Sequence, residues 1–339
     1  MLGSSDVPLA EHYDLAMLDL DGVVYVSGDA VPGAPEHLEV ARGAGMRLAF
    51  ITNNAARAPE LVAAHLVELG VEAATHDVVT SAQAAARVLV ERHGVGARVV
   101  LLGSAGLRAA LSAEGLVPVG VDDEAVAVAT GYGPDVLWRD IMRVAVRIRD
   151  GLAWVASNRD YTIPTAYGVA PGHGVLVETL ERFSGVTPTT AGKPERPLLD
   201  ETIRRVGGRR PLMVGDRLDT DIEGARRVGV DSLLVLTGVT GLAELVAARP
   251  EERPTYVAPD LGGLAEACGA PEIVDGEVRL AGWAARIDGG RPTVVGQGST
   301  ADWWRVVAVA SWAHLDDVGA PVDTADLVPP ETSDPAPAG

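Results

Sequence analysis

Residues 15–25, LAMLDLDGVVY, start as an unbroken apolar run and then break into two aspartates and a glycine. A short apolar run bounded by polar residues predicts a strand buried on both faces, as in parallel sheets. Asp19 and Asp21 are one residue apart, so in extended chain both carboxylates point to the same side. Gly22 permits a sharp exit, which leaves the pair at the carboxyl edge of the sheet, where open α/β sheets bind ligands. Taken alone, Asp-x-Asp also fits solvated turns, calcium loops and metal-dependent glycosyltransferases.

Outward from this strand the pattern repeats. MRLAFIT (46–52) predicts a second buried strand, reached through a helix in PEHLEVARGAG (35–45) that glycine ends. Pro59 opens a further helix with Leu61, Val62, His65, Leu66 and Leu69 on one face, and Gly70 stops it. Further strands are expected at 97–103, 125–130 and 152–157, with helices near 81–92, 104–114, 135–149 and 173–184; strands follow again at 211–216, 232–238 and 255–258. Strands alternating with helices define an α/β chain with a mainly parallel, Rossmann-like sheet. We read 1–79 and 189–269 as one sheet domain, 80–188 as an inserted α/β domain and 270–319 as a small C-terminal α+β extension. In the extension, EVRLAGWAARIDGGRPTVVGQG (277–298) predicts two strands around a Gly-Gly turn, and DWWRVVAVASWAHLDD (302–317) a helix. Trp304, Ala308 and Trp312 share a face of that helix, read as a packing face with a subunit interface as the alternative. From Ala320 to Gly339 prolines and acids without apolar period suggest a disordered tail.

Composition narrows the function. The chain has 339 residues and a formal charge of −19, which argues against nucleic acid or an anionic membrane surface as a partner. No apolar run reaches the ~20 residues of a membrane span, and the N-terminus lacks the basic-then-apolar order of a secretory signal. Cys268 is the single cysteine, read as a small core residue. These features predict a cytoplasmic protein.

Of the 28 Lys and Arg residues, Lys193 is the only lysine. An ammonium is a compact, flexible point charge, and a site built for it does not accept the planar guanidinium fork. Lys193 lies in AGKP (191–194), a turn before a helix running through Leu198, Leu199 and Ile203, where it can reach an anion. At 4 Å and an effective dielectric of 20, two unit charges interact by ~4 kcal/mol, so one lysine matters to a dianion on an acidic chain. The bland alternative is one surface lysine left by chance. Thr52, Asn53 and Asn54 end the second strand and offer hydroxyl, amide and backbone N–H groups, suited either to a phosphate or to an ordinary polar turn. In GDRLDTD (215–221), Asp216 at a strand end suits Mg²⁺, which takes one or two carboxylates, waters and a substrate phosphate. Asp221 falls where it caps the next helix or orients the ligands, whereas Asp219 and Arg217 read as a solvated pair. LLGSAGLRAAL (101–111) superficially suggests a dinucleotide loop, but without the full G-x-G-x-x-G it reads as a strand-to-helix turn.

LDLDGVVY, FITNN, AGKP and VGDRLDTDI, in this order, resemble the four motifs of the haloacid dehalogenase superfamily of phosphotransferases. The stretch between the second and third motifs is similar to the large α/β cap of its NagD-like branch. The likeness covers about residues 12–268, and THDVVTSAQAAA (75–86) with PTAYGVAPGHG (164–174) resembles the actinobacterial glycerol-3-phosphate phosphatases. Residues 270–319 resemble the degenerate acetyltransferase piece of those enzymes.

The resemblance implies Asp19 as nucleophile, forming an aspartyl-phosphate, and Asp21 as general acid and then base. It implies Mg²⁺ held by Asp19, the Asp21 carbonyl and Asp216, with Asp221 behind them, and a phosphoryl group held by Thr52, Asn53, Asn54 and Lys193. Asn158, Asp160 and His173 are candidate substrate contacts of the cap, with loop packing as the other reading of His173. The position before Pro164, a polar substrate contact in some relatives, is Ile163 here. The expected activity is Mg²⁺-dependent hydrolysis of a small phosphorylated metabolite, glycerol 3-phosphate first; 2-phosphoglycolate, pyridoxal phosphate and nitrophenyl phosphate are alternatives. A phosphate-sensing binding protein on the same scaffold is the alternative of a different class, and self-association is left open.

Overall fold

Apolar runs with few polar interruptions need cover on both faces, and the computed structural model of the chain provides it with helices on parallel strands. It describes residues 2–165 and 168–330. The chain divides into two compact units, Met1–Leu48 with Gly208–Gly339, and Ala49–Gly207; the first division falls inside the strand Arg47–Thr52.

In the first unit, the strand Leu15–Leu18 is buried at every position and pairs in parallel with Pro211–Gly215, Leu18 opposite Val214. Asp231–Val235 and then Tyr256–Ala258 continue the parallel order. Parallel neighbours require crossovers, and the helices Glu223–Val228 and Leu242–Val246 supply them. Because Leu18 and Val214 are in register, the residues that follow them, Asp19 and Gly215-Asp216, leave the sheet at the same edge.

The C-terminal part of this unit is a four-stranded antiparallel sheet of Glu272–Val274, Glu277–Leu280, Trp283–Asp288 and Arg291–Gly296. Its Gly289-Gly290 turn joins the last two strands as expected, and two more strands extend the sheet than the pattern indicates. The helix Thr300–Val318 lies against it. Trp304, Ala308 and Trp312 are buried, as the packing reading requires, and so are Trp303, Val306, Val307, Val309 and Ala310. Such all-round burial marks a core helix rather than a surface one. Trp312 Nε1 donates to Leu245 O at 2.7 Å. Arg305, 3% exposed, donates to Val257 O at 3.1 Å and to Cys268 Sγ at 3.3 Å. Cys268 is a buried core residue. Of the stretch read above as a tail, residues 320–330 are described: Val322 is buried and Asp323 N donates to Gly290 O at 2.8 Å. Residues 331–339 lie outside the described residues.

In the second unit, the strand Arg47–Thr52 pairs in parallel with Val78–Thr80. A separate sheet of five parallel strands has the spatial order Thr189–Thr190, Ala153–Ala156, Ala127–Thr130, Arg98–Leu102 and Val117–Val119. Its core contains Val100, Leu102, Val128, Trp154 and Ala156 with Val144, Ile148, Val177 and Leu180 from the helices Trp138–Arg149 and His173–Ser184. An antiparallel hairpin, Thr162–Thr165 with Gly168–Pro171, contains Ile163. Ser104 precedes the helix Ala105–Ala113, so the glycine-containing turn at 103–106 is an ordinary strand-to-helix connection. Among the described residues no helix is long and apolar enough to cross a membrane.

Candidate active site

The carboxyl edge of the first unit's sheet concentrates negative charge. Asp19, Asp216 and Asp221 each place a carboxylate oxygen within 4.8 Å of the others, the grouping of this kind among the described residues. Asp216 and Asp221 are fully buried. Asp19 N donates to Val214 O at 2.9 Å, which locks the first acid to the neighbouring strand. Val239 N donates to Asp216 Oδ2 at 2.7 Å and Arg217 N to Asp221 Oδ2 at 3.1 Å.

Asp221 enters the cluster because residues Leu218–Ile222 form one wide π-helical turn. Sequence spacing alone assigns it to the start of an ordinary helix, whose first α-helical residue is Glu223. The extra width turns Asp221 inward, and such turns recur at functional sites. Three buried like charges are costly unless a cation neutralises them, and all-oxygen donors select a hard divalent ion. The donor set therefore fits a magnesium-type ion.

Two glycines leave room for this arrangement. Gly22 has φ +87°, and a Cβ there would lie 2.4 Å from Asp216 Oδ2; a Cβ at Gly238 would lie 2.1 Å from the same atom. Gly22 was legible from its place after Asp21. Gly238 and the Val239 amide were missed; the Thr237-Gly238 dipeptide after a strand is the only signal that points to them. Asp21 is exposed, with its backbone bridged to Tyr25. Arg217 and Asp219 form a surface pair at 2.9 Å, as the solvated reading has it.

The second unit gathers neutral amides instead. Thr52 Oγ1 accepts from Asn54 N at 3.0 Å and Asn54 Oδ1 from Ala56 N at 2.8 Å, so both side chains shape the turn after the strand. Asn53, buried, receives Lys193 N–H on Oδ1 at 2.8 Å; its Nδ2 donates to Lys193 O at 3.0 Å and to Asp160 Oδ1 at 2.9 Å. Asn158 Nδ2 donates to Asn53 O at 2.6 Å. Lys193 is 3% exposed, a deeply placed ammonium and no chance surface residue. The helix beyond it begins at Arg196. Thr52, Asn53, Asn158, Asp160 and Lys193 thus belong to one neighbourhood of this unit. Ser81, whose Oγ donates to Asn53 O at 2.5 Å, belongs there too and was not singled out.

His173 sits apart from that network, buried, with Nε2 3.2 Å from Thr130 Oγ1. Burial pushes its pKa down to about 4, so the ring is neutral near pH 7. Trp154 Nε1 donates to the same hydroxyl at 3.0 Å.

Comparison with known proteins agrees with these motifs. Residues 16–117 match the family model described as haloacid dehalogenase-like hydrolase, and residues 190–264 the one described as HAD-hydrolase-like. The chain is 41% identical over 295 residues to the D-glycerol 3-phosphate phosphatase of Mycobacterium tuberculosis, covering 87% of this chain and 82% of that protein. The crystal structure of glycerol phosphate phosphatase from the same organism in complex with magnesium aligns with a TM-score of 0.83 and 40% identity, over 93% of this chain and 94% of that one. The 4-nitrophenylphosphatase of Thermotoga maritima aligns with a TM-score of 0.70 and 30% identity, over 76% and 98% of the two chains. This protein belongs to the haloacid dehalogenase-like hydrolases, the family that the four ordered motifs resemble.

Proposed function

We propose that this chain is a Mg²⁺-dependent phosphatase of small phosphate monoesters, with glycerol 3-phosphate as its preferred substrate. The observation that carries the reading is the Asp19–Asp216–Asp221 cluster at the strand edge. The identity to a D-glycerol 3-phosphate phosphatase supports the choice of substrate.

In this mechanism Asp19 Oδ attacks phosphorus, the P–O bond to the leaving alkoxide breaks, and an aspartyl-phosphate forms. Asp21 gives its proton to the departing oxygen, then takes one from the water that cleaves the acyl phosphate and regenerates Asp19. Thr52, the Asn53 and Asn54 backbone and Lys193 hold the phosphoryl oxygens as their charge redistributes. Asp19, Asp216 and the Asp21 carbonyl, with Asp221 beside them, would hold Mg²⁺, whose charge offsets the repulsion between carboxylate and phosphate dianion. Asn158, Asp160 and His173 belong to the inserted segment 80–188, the cap in this reading; Asn158 and Asp160 flank the substrate, and His173 packs within the cap against Thr130. A cytoplasmic location accords with the single cysteine and the acidic charge.

The test is phosphate release from glycerol 3-phosphate, phosphoglycolate, pyridoxal phosphate and sugar phosphates, with and without Mg²⁺. Asp19→Asn is expected to cut kcat on the order of 10⁴-fold. Metal-dependent turnover with the highest kcat/KM on glycerol 3-phosphate is the expected result; folded, Mg²⁺-binding protein that releases no phosphate would sink the reading in favour of a phosphate sensor. The likeness to a 4-nitrophenylphosphatase makes nitrophenyl phosphate the second substrate class to test.

A further inference from the structure

Asn53 reads as a phosphate ligand from its place after Thr52, yet its side chain is committed elsewhere. A primary amide has two N–H donors and one carbonyl acceptor. Here the carbonyl accepts from Lys193 N–H, and the NH₂ group donates to Lys193 C=O and to the Asp160 carboxylate. One side chain therefore pairs with both backbone groups of a single residue, much as a neighbouring strand would. Fixing both groups fixes the Lys193 Cα, and so the root from which its flexible arm reaches.

A second observation points the same way. A Cβ on Gly192 would lie 2.5 Å from Asn53 Oδ1 and 2.8 Å from Ser157 O. Glycine at 192 thus lets the AGKP turn close on the Asn53 amide. The network also reaches the loop after Ser157. Asn158 Nδ2 binds the Asn53 carbonyl, Asn158 Oδ1 accepts from Asp160 N at 3.1 Å, and Asp160 Oδ1 returns to the Asn53 amide. Asn53, Asn158, Lys193 and Ser81 are all buried, where lost partners are expensive.

We infer that the Asn53 side chain is a positioning group: its amide sets the Lys193 backbone and ties the Asn158–Asp160 loop to it, and this amide, unlike the Asn53 backbone N–H, acts on the reaction through Lys193 rather than by touching substrate. The inference rests on the phosphatase reading above and adds a role that the family motif does not state for this chain.

A double-mutant cycle on the full-length, Mg²⁺-loaded enzyme tests it, with kcat/KM on glycerol 3-phosphate and on nitrophenyl phosphate as the readout. Asn53→Ala is expected to lower kcat/KM about 10- to 100-fold on both esters, the scale of a misplaced positioning group. In a Lys193→Ala background the same change is expected to cost less than about 3-fold, because its target is already gone. Gly192→Ala, which crowds the amide without deleting it, is expected to repeat both results, and so covers the case in which Asn53→Ala does not fold. Asn53→Asp is expected to fall below Asn53→Ala, since a carboxylate would face the Lys193 carbonyl and Asp160.

Losses that multiply fully in the Lys193→Ala background would overturn the inference, as would an Asn53→Ala enzyme as fast as its parent. A loss confined to one ester would overturn it as well, by showing contact with the leaving group. A parent chain that hydrolyses no ester is a different result; it removes the phosphatase reading and this inference with it.

Discussion

Two buried acidic clusters in this molecule obey opposite electrostatics. In the first unit Asp19, Asp216 and Asp221 crowd three carboxylates together, and the Val239 and Arg217 amides donate to two of them. In the second unit Glu201, its side chain 1% exposed, is embraced by Arg204 at 2.7 Å and by Arg205, and Arg205 reaches Glu114 at 2.7 Å. The second cluster neutralises itself and belongs to stability. The first brings three like charges within 4.8 Å of one another, an arrangement that a fold tolerates where a ligand cation is to bind. The convergence of several carboxylates on one point, and not burial alone, separates a site from a strut.

The sharpest way to break this comparison is Asp216→Asn. Activity is expected to fall about 10³-fold or more, since several kcal/mol of charge stabilisation depend on the metal. Stability in chelator is expected to move the other way, by about 1–2 kcal/mol, because one buried like charge is gone. Urea unfolding with EDTA reads the second effect; a variant less stable than its parent would deny that the cluster is strained without a cation.

His173 provides a buried titratable group whose shift comes, among the described residues, from burial rather than from a charged neighbour. Its pKa of about 4 lies below the unfolded reference of 6.5, so on acidification the unfolded chain takes up a proton before the folded one. Stability is expected to fall by about 3 kcal/mol from this group as pH drops from 6.5 to 4. His173→Gln should flatten that part of the unfolding-energy profile, measured by urea titration at several pH values.

For Glu201, burial raises the carboxyl pKa, but the hydrogen bonds and charges of Arg204 and Arg205 outweigh it and hold the group below its usual 4.5. Its contribution is therefore complete above about pH 4.5 and is lost as pH falls through the lowered folded value. Glu201→Gln is expected to cost about 1–3 kcal/mol near pH 7, discounted because both arginines are partly exposed, with kcat unchanged. A drop in kcat larger than about 3-fold at full folding would blur the division between site and strut.

Asp219→Ala is the smallest change. The Arg217–Asp219 pair is exposed, so stability should shift by less than about 0.5 kcal/mol and turnover should not change. It shows that an acid two residues from Asp221 in sequence is outside the cluster that Asp221 joins.

The strands were legible because burial on both faces leaves long apolar runs, and most expected strands recur within one or two residues of their predicted bounds. The short strands Val117–Val119, Thr162–Thr165 and Gly168–Pro171 were not, since each contains a proline and all are partly polar or exposed. Asp19 and Asp216 were legible as acids at strand ends, and Lys193 as the only lysine in an arginine-rich chain. Asn53 illustrates the limit. Its residue type and position suggest an anion ligand, whereas its bonds run to residues 107 and 140 positions away.

By itself the sequence determined the α/β alternation, the family, the strand-end acids and the singular lysine, because each depends on residue type and short-range order. Only the tertiary structure decided that Asp221 turns into the cluster, that Gly238 makes room for Asp216, and that the Asn53 amide is spent on the Lys193 backbone. Those outcomes depend on distances between segments far apart in the chain, and hydrogen-bond geometry at 2.8 Å has no signature in local composition.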